Sequence, residues 1–355
     1  MEKVVVIGGG IAGLETALRC ERKGFSVTVV EPKDSMLFYP SAHRLLEGSS
    51  HEEFTIDYGR KFRGRNIEQV RQKAEGVKFG ENRVYTEEGE ELEYDYLVLA
   101  AGSETEFYDT PGHERADTMR FRENPQQIYR KLSEGEADSV AIVGGGATGV
   151  EAAASLLEVS DEHDFDLKLI HGSERLLPSN HEKLGRSAEK SLRKKGVELF
   201  LGEKAIEVGN PAVELESGDE VEADIVLWAG GVRPCSLVDQ LDLECDRGGV
   251  RVDEYQQTSR ENVFAAGDCC SYEGKVNRAL YGIFEAKVAA ENISMKSEEA
   301  ELKQRSIPYD PEIIYLGSRD SAMEIGNFCM RGLFPSLLRS LGVEKRYLLL
   351  RKHWL

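Results

Sequence analysis

The chain is short of several features that would fix its class at once. Only 6 of its 355 residues are cysteine (Cys20, Cys235, Cys245, Cys269, Cys270 and Cys329). They include no C-x-x-C pair and no grouping with metal-ligand spacing, so neither a secreted disulfide framework nor a metal site is encoded. No apolar run approaches the roughly 20 residues of a membrane-spanning helix. The run nearest the amino end, Val4-Val5-Val6-Ile7, stops at glycine and is too short for a signal-peptide core, so the mature chain is expected to begin where the sequence does. Cations are the minority: 45 Lys and Arg against 64 Asp and Glu leave a formal net charge of −19. Such a surface repels a duplex along most of its length, and no nucleic-acid partner is expected. A reducing cytoplasm is the expected compartment.

Glycine, by contrast, is abundant and patterned. Residues 4–31 read as a buried strand, a glycine turn, a helix from about Gly13 to Lys23, and a second strand, Ser26 to Val30, ending at Glu31. The same grammar returns at Ser139 to Val143, followed by Gly144 to Glu151, an alanine-rich helix and Leu167 to Ile170. Three further runs end in small residues where a strand would meet a ligand: Tyr96 to Gly102, Asp224 to Gly231 and Asn262 to Asp268. A helix is expected from about Asn277 to Asn292. The fold class is therefore α/β, with two Rossmann-like units and a smaller carboxyl-terminal module.

Gly8, Gly10 and Gly13 match G-x-G-x-x-G. One glycine makes the tight turn, one lets backbone approach a pyrophosphate, and one allows helix and strand to pack closely. The helix start then offers unpaired N–H groups and a dipole to the phosphates. Glu31 lies where an acid accepts the adenosine ribose hydroxyls. Ile11 and Ala12, at the helix start, and Pro32 and Lys33, after the acid, are counted with this site. The second set is Gly144, Gly146 and Gly149, with Ala147 and Thr148 between them. Here His171 stands where an acid is expected, while Ser173 and Arg175 follow. An acid favours NAD and repels a 2′-phosphate, whereas a serine and an arginine accept one, so NADPH stands beside NADH as the donor. The alternative is that Arg175 is a solvated loop charge.

Two dinucleotide units, the first interrupted by the second, resemble the two-dinucleotide-binding-domain flavoproteins. The resemblance implies FAD on the first unit and NADH or NADPH on the second. It divides the chain into residues 1–110 and 241–300 for FAD, 111–240 for NAD(P)H, and 301–355 for an interface or membrane-anchoring module. It also implies that Ala101 and Gly102 border the FAD, and that Gly267 and Asp268 place a carboxylate on its ribityl or phosphate oxygens. The following helix would then point its positive end at the flavin pyrimidine edge.

The finer similarity is to type II NADH:quinone oxidoreductases and ferroptosis-suppressor-like quinone reductases. It rests on Leu37 to Gly48, Gly149-Val150-Glu151, Leu169 to Gly172 with Leu176-Leu177-Pro178, and Trp228 to Pro234. By that resemblance Glu151 lies where the nicotinamide meets the flavin, to orient it or relay a proton, and Gly230 and Gly231 lie on the nicotinamide side. A helix N-terminal acid helped by the dipole is the bland alternative for Glu151. The A-Q-x-A-x-Q pattern of the quinone tunnel is replaced by Ala279 to Ala286. His43 is either a proton donor near that tunnel or a surface hydrogen-bonding residue.

Cysteine usage separates the chain from sister families. No redox pair stands in the first unit, so neither thiol–disulfide relay nor sulfide:quinone oxidation is favoured. Cys269 and Cys270 are adjacent and are read as packing residues. At the carboxyl end, Phe334, Leu337, Leu338 and Leu341 follow helical spacing, continued by Tyr347, Leu348, Leu350, Trp354 and Leu355. Arg331, Arg339, Lys345, Arg346, Arg351 and Lys352 stand against one acid, Glu344. Such a tail reads as an interfacial anchor, with packing on its own FAD unit or on a second subunit in a homodimer as the alternative. The sequence thus points to an FAD-dependent NAD(P)H:quinone oxidoreductase, peripheral on the inner face of the cell membrane. A soluble reductase of ferredoxin or rubredoxin type, a sulfide:quinone oxidoreductase and a flavin-binding sensor are the alternatives.

Overall fold

The computed structural model describes residues 1–120, 123–160, 163–306 and 311–352, with side chains described up to 342 except at 123. Lys3–Ile7 carries four consecutive β-branched residues, and all four are buried. A strand covered on both faces reads as such a run. It is the centre of a wholly parallel five-stranded sheet, ordered Val263–Ala265, Tyr96–Leu99, Lys3–Ile7, Ser26–Val30, Ile67–Val70. After Tyr96–Leu99 the chain builds a second parallel sheet, ordered Asp117–Thr118, Ile225–Trp228, Ser139–Val143, Asp166–His171, Glu198–Leu201. It then returns to the first sheet at Val263–Ala265, so the second unit is inserted in the first, as the repeated grammar indicates.

Helix α1 (Ile11–Arg22) starts two residues earlier than its expected position because extended Gly10, with φ −62° and ψ −171°, is the N-cap. No side chain caps this end. In the second unit, α2 (Ala147–Ser160) is the matching helix. Helix α3 (Ala279–Ser297) outlasts its expected end at Asn292, because Ile293 and Ser294 are still buried. Small residues let α1 and α3 pack closely: Ala12, Ala17, Ala286, Ala289 and Ala290 share one core with Leu18 and Ile293.

The carboxyl-terminal module is a three-stranded antiparallel sheet (Glu312–Tyr315, Ser321–Ile325, Phe328–Gly332) followed by helix α4 (Leu333–Lys352). Gly342 does not break α4, which runs as one helix. Ile314, Leu316 and Ala322 of this sheet join the core of the second unit together with Leu45 and Leu46 from the Phe38–Gly48 segment. The module therefore sits over the junction of the two units. Among the described residues no helix is long and apolar enough to cross a membrane.

Candidate functional site

Both glycine motifs sit at the carboxyl ends of their sheets, where open α/β sheets bind ligands. Gly8 (φ +100°) and Gly144 (φ +121°) take left-handed backbone that favours glycine, and a Cβ on either would overlap the next crossover's carbonyl, that of Ala100 or Ala229. A Cβ on Gly13 would overlap the Gly8 carbonyl oxygen, and one on Gly149 the Gly144 oxygen. Gly10 and Gly146 differ: no protein atom lies within 4 Å of a Cβ built on either. In each motif two glycines serve the fold while the middle one faces open space at a helix N-terminus, which fits a pyrophosphate.

The first loop is braced by groups the motif does not contain. The Glu31 carboxylate accepts the N–H of Gly9 at 2.9 Å and of Lys33 at 3.1 Å. Buried Tyr58 donates its hydroxyl to the Gly9 carbonyl at 2.6 Å, and Gln69 donates to the carbonyls of Glu31 and Lys33. Ile11 and Ala12 open α1, whereas Pro32 and Lys33 are exposed beyond the acid.

On the second loop the His171 ring lies against Gly145. Burial lowers its pKa, and its buried Nε2 meets no hydrogen-bond partner among the described residues. Arg175 is partly exposed and hydrogen-bonded within its own loop. Its guanidinium donates to the carbonyls of Leu177 (3.0 Å), Pro178 (2.6 Å) and Asn180 (2.9 Å), clamping its own loop. Arg175→Ala is therefore expected to cost about 1–2 kcal/mol of stability for a partly exposed charged donor. Its NADH-to-NADPH preference, read from kcat/KM with each nucleotide, should stay within about twofold of the original, below the tenfold that 1.4 kcal/mol represents.

The two loops meet through a ribbon made by the crossovers between the sheets. Ser103–Thr105 pairs antiparallel with Val232–Pro234, which sets Gly102 against Cys235 at one end of the ribbon and Gly231 against Glu106 at the other. Trp228 Nε1 donates to the Glu106 carbonyl at 2.8 Å, and Tyr108 donates to the Gly230 carbonyl at 3.4 Å. Asp268, after Gly267, accepts the Ser103 hydroxyl at 2.7 Å. Arg120 donates to Ser103 Oγ (2.6 Å) and to the Ser103 carbonyl, with a guanidinium nitrogen 3.9 Å from Asp268. Sequence reasoning missed Arg120, since nothing local distinguishes it from other arginines.

Glu151 belongs to a polar network among four segments. Its Oε1 accepts the Tyr315 N–H (3.1 Å) and an Arg339 N–H (3.3 Å). The same Arg339 nitrogen lies 2.7 Å from His43 Nε2. His43 is not the surface residue expected as its alternative: it is buried, stacked on Tyr315 at 4.7 Å, with Nδ1 2.8 Å from Ser155 Oγ. Because Nε2 must accept from arginine, the proton sits on Nδ1, and Ser155 in turn donates to Glu47 at 2.8 Å. His43 is thus locked as a neutral bridge, and the proton-donor role does not fit this arrangement.

A pH dependence follows. Burial, helped by the charge of Arg339 and opposed by the Glu47 carboxylate, leaves the His43 pKa below its ordinary 6.5. The unfolded chain then binds more protons, so this contribution is full above about pH 6.5 and is lost as pH falls toward the folded pKa. Glu47 is opposed by burial but held below the carboxylate range by His43 and Ser155, so its contribution is lost only at lower pH. Between about pH 6.5 and 5.5 the slope of the urea midpoint against pH should be smaller in His43→Gln than in the original chain.

In the tail, two of the six cations turn inward: Arg339 as above, and Arg331, whose Nε lies 2.9 and 3.0 Å from the Asp320 oxygens. The side chains of Glu344, Lys345, Arg346, Tyr347, Leu348, Leu350, Arg351, Lys352, Trp354 and Leu355 lie outside the described residues. Leu333, Phe334, Leu337 and Leu341 are all more than half exposed and, at helical spacing, form an apolar stripe. Cys269 and Cys270 are fully buried, and burial pushes the Cys269 thiol up to about 11, as suits packing rather than nucleophilic residues. Every cysteine is free.

Residues 2–293 match the family model described as pyridine nucleotide-disulphide oxidoreductase. The chain is 28% identical to the type II NADH:quinone oxidoreductase of Haemophilus influenzae, over 85% of this chain and 82% of that one. It is 28% identical to ferroptosis suppressor protein 1 of Xenopus tropicalis, over 94% and 90%. Its fold matches the structure of NDH2 from Plasmodium falciparum in complex with NADH, with a TM-score of 0.88 over 99% of this chain and 96% of that one at 16% identity.

Proposed function

The chain belongs to the pyridine nucleotide-disulphide oxidoreductase family and is an FAD- and NAD(P)H-dependent flavoprotein oxidoreductase, and on that premise we propose that it reduces a quinone at a membrane surface. One observation carries the reading. Helix α4 presents the apolar stripe of Phe334, Leu337 and Leu341 to solvent, while its Arg339 reaches Glu151. An exposed apolar surface of this kind marks a lipid or protein contact, and here it lies on the helix whose Arg339 holds Glu151, the residue this reading assigns to the nicotinamide.

Bound FAD would supply the hydride- and electron-transfer chemistry between nicotinamide and quinone. The chain's residues bind and orient. The open middle glycines, Gly10 and Gly146, admit the two pyrophosphates to the starts of α1 and α2. The Ser103–Thr105 ribbon ties the crossover that carries Ala101 and Gly102 to the crossover that carries Gly230 and Gly231, one pair at each end of the ribbon, and so fixes the FAD side relative to the nicotinamide side. Glu151, in the first turns of α2, orients the nicotinamide, and Arg339 and the Tyr315 N–H fix its Oε1. With Arg175 committed to its own loop, NADH is the favoured donor. A cytoplasmic position on the inner face of the cell membrane completes the reading.

Steady-state oxidation of NADH tests the acceptor. A short-chain ubiquinone or menaquinone analogue should support turnover at least about tenfold above rubredoxin, ferredoxin or no acceptor, a gap of 1.4 kcal/mol or more in barrier. Faster turnover with an iron–sulfur protein would replace the quinone by a protein carrier.

A further inference from the structure

Beneath the Gly267–Asp268 turn lies a buried ion pair outside the glycine motifs and outside the Glu151 network. The Glu285 carboxylate, in the second turn of α3, is fully buried. It accepts the Gly267 N–H at 2.7 Å, the Tyr272 hydroxyl at 2.7 Å, and Lys275 Nζ at 3.1 Å on each oxygen. Lys275, itself 8% exposed at the side chain, also donates to the Gly267 carbonyl at 2.6 Å and lies 3.1 Å from Cys270 Sγ. Gly267, at φ +82°, is thus gripped at both its N–H and its carbonyl.

We propose that Lys275 and Glu285 are positioning residues that fix the Gly267–Asp268 turn against the flavin, with opposite charges that balance each other's effect on its reduction potential. The inference rests on the reading that FAD occupies the first nucleotide unit. A buried ion pair gives up the hydration of both charges, and an apolar pair of similar volume usually serves stability as well or better. Here both charges are spent on one backbone residue of the turn that presents Asp268. Burial opposes the Lys275 charge, but neighbouring Cys270 and Glu285 more than offset it and hold its pKa above the lysine range. In so dry a place each charge acts on its surroundings with little screening, and while both are present their effects on the cofactor largely cancel. The pair lies at the amino end of α3, the helix whose dipole favours the negative charge that reduction places on the flavin.

Removing one charge must therefore move the potential in a direction set by the other. Glu285→Gln leaves the ammonium uncompensated, favours the reduced form and should raise the midpoint potential. Lys275→Met leaves a carboxylate still held by the Gly267 N–H and the Tyr272 hydroxyl, and should lower it. The double variant should return close to the original value. A role confined to packing would loosen FAD in both single variants without opposite shifts.

The test is anaerobic titration of the flavin in the purified holoprotein and in each variant, against a reference dye. Where Lys275→Met does not fold, Lys275→Gln keeps a donor for the Gly267 carbonyl and carries the same expected sign. Opposite shifts that cancel in the double variant are the expected result. An original protein that retains FAD while the single variants shift together, or not at all, overturns this inference alone. An original protein that retains no FAD overturns the cofactor reading and the inference with it.

Discussion

Gly10→Ala should give a folded protein that has lost most of its flavin. The Cβ built at Gly10 meets no protein atom within 4 Å, and the backbone there is extended, so alanine fits the apoprotein without strain. Its methyl group would occupy the space left for a pyrophosphate at the start of α1, and the FAD dissociation constant should rise by about tenfold to a hundredfold, or roughly 1.4–2.7 kcal/mol. Gly13→Ala should fail differently, because its Cβ overlaps the Gly8 carbonyl in the fold itself. Overlap with backbone rather than a side-chain tip costs about 3 kcal/mol or more, so the FAD-stripped Gly13→Ala protein should unfold at lower denaturant than the stripped original. Flavin content after gel filtration and urea midpoints of the stripped proteins separate the two. Equal loss of stability in both variants would remove the distinction between a structural and a ligand-facing glycine.

Replacing Phe334 and Leu337 together by glutamate should uncouple the enzyme from membrane-held acceptor. Both side chains are more than half exposed, so the fold should change by no more than about 0.5 kcal/mol per site. Each change removes an apolar contact and adds charge that an anionic lipid surface repels. Turnover with a long-chain quinone embedded in phosphatidylglycerol-containing vesicles should fall about tenfold to a hundredfold, and co-sedimentation with the vesicles should be lost. Turnover with a short-chain, water-soluble quinone should stay within about twofold, since a change of that size is under 0.5 kcal/mol in barrier. An equal fall with both quinones would place the stripe in the acceptor site rather than at a lipid surface.

Much of this architecture is legible in the sequence because its demands are local. Gly13 and Gly149 are required by the carbonyls of Gly8 and Gly144 a few residues before them, Gly8 and Gly144 take left-handed backbone of their own, and the β-branched run at Val4 to Ile7 reports its own burial. What stayed hidden is paired over distance. Tyr58 meets Gly9 across 49 positions, Arg120 reaches Ser103 and Asp268, and Arg339 meets His43 across 296. No spacing rule connects such partners, and each residue type alone is more often on the surface. Arg175 shows the opposite limit: its place after the second glycine unit suits a phosphate, but the three carbonyls that take up its donors become visible only in the folded loop. The tail divides in the same way. Helical spacing finds the apolar stripe, yet composition counts Arg331 and Arg339 as interfacial cations when both are tied to the body of the protein.

The most direct test of NADH:quinone reduction is a single turnover without oxygen. The purified yellow protein is mixed with NADH, and separately with NADPH, and a short-chain quinone is then added while the flavin's visible absorbance is followed. The expected result is rapid bleaching by NADH, slower bleaching by NADPH, and rapid recovery of the oxidised spectrum on adding quinone. A flavin that neither nucleotide bleaches, or one that bleaches but does not recover with quinone, would contradict the account.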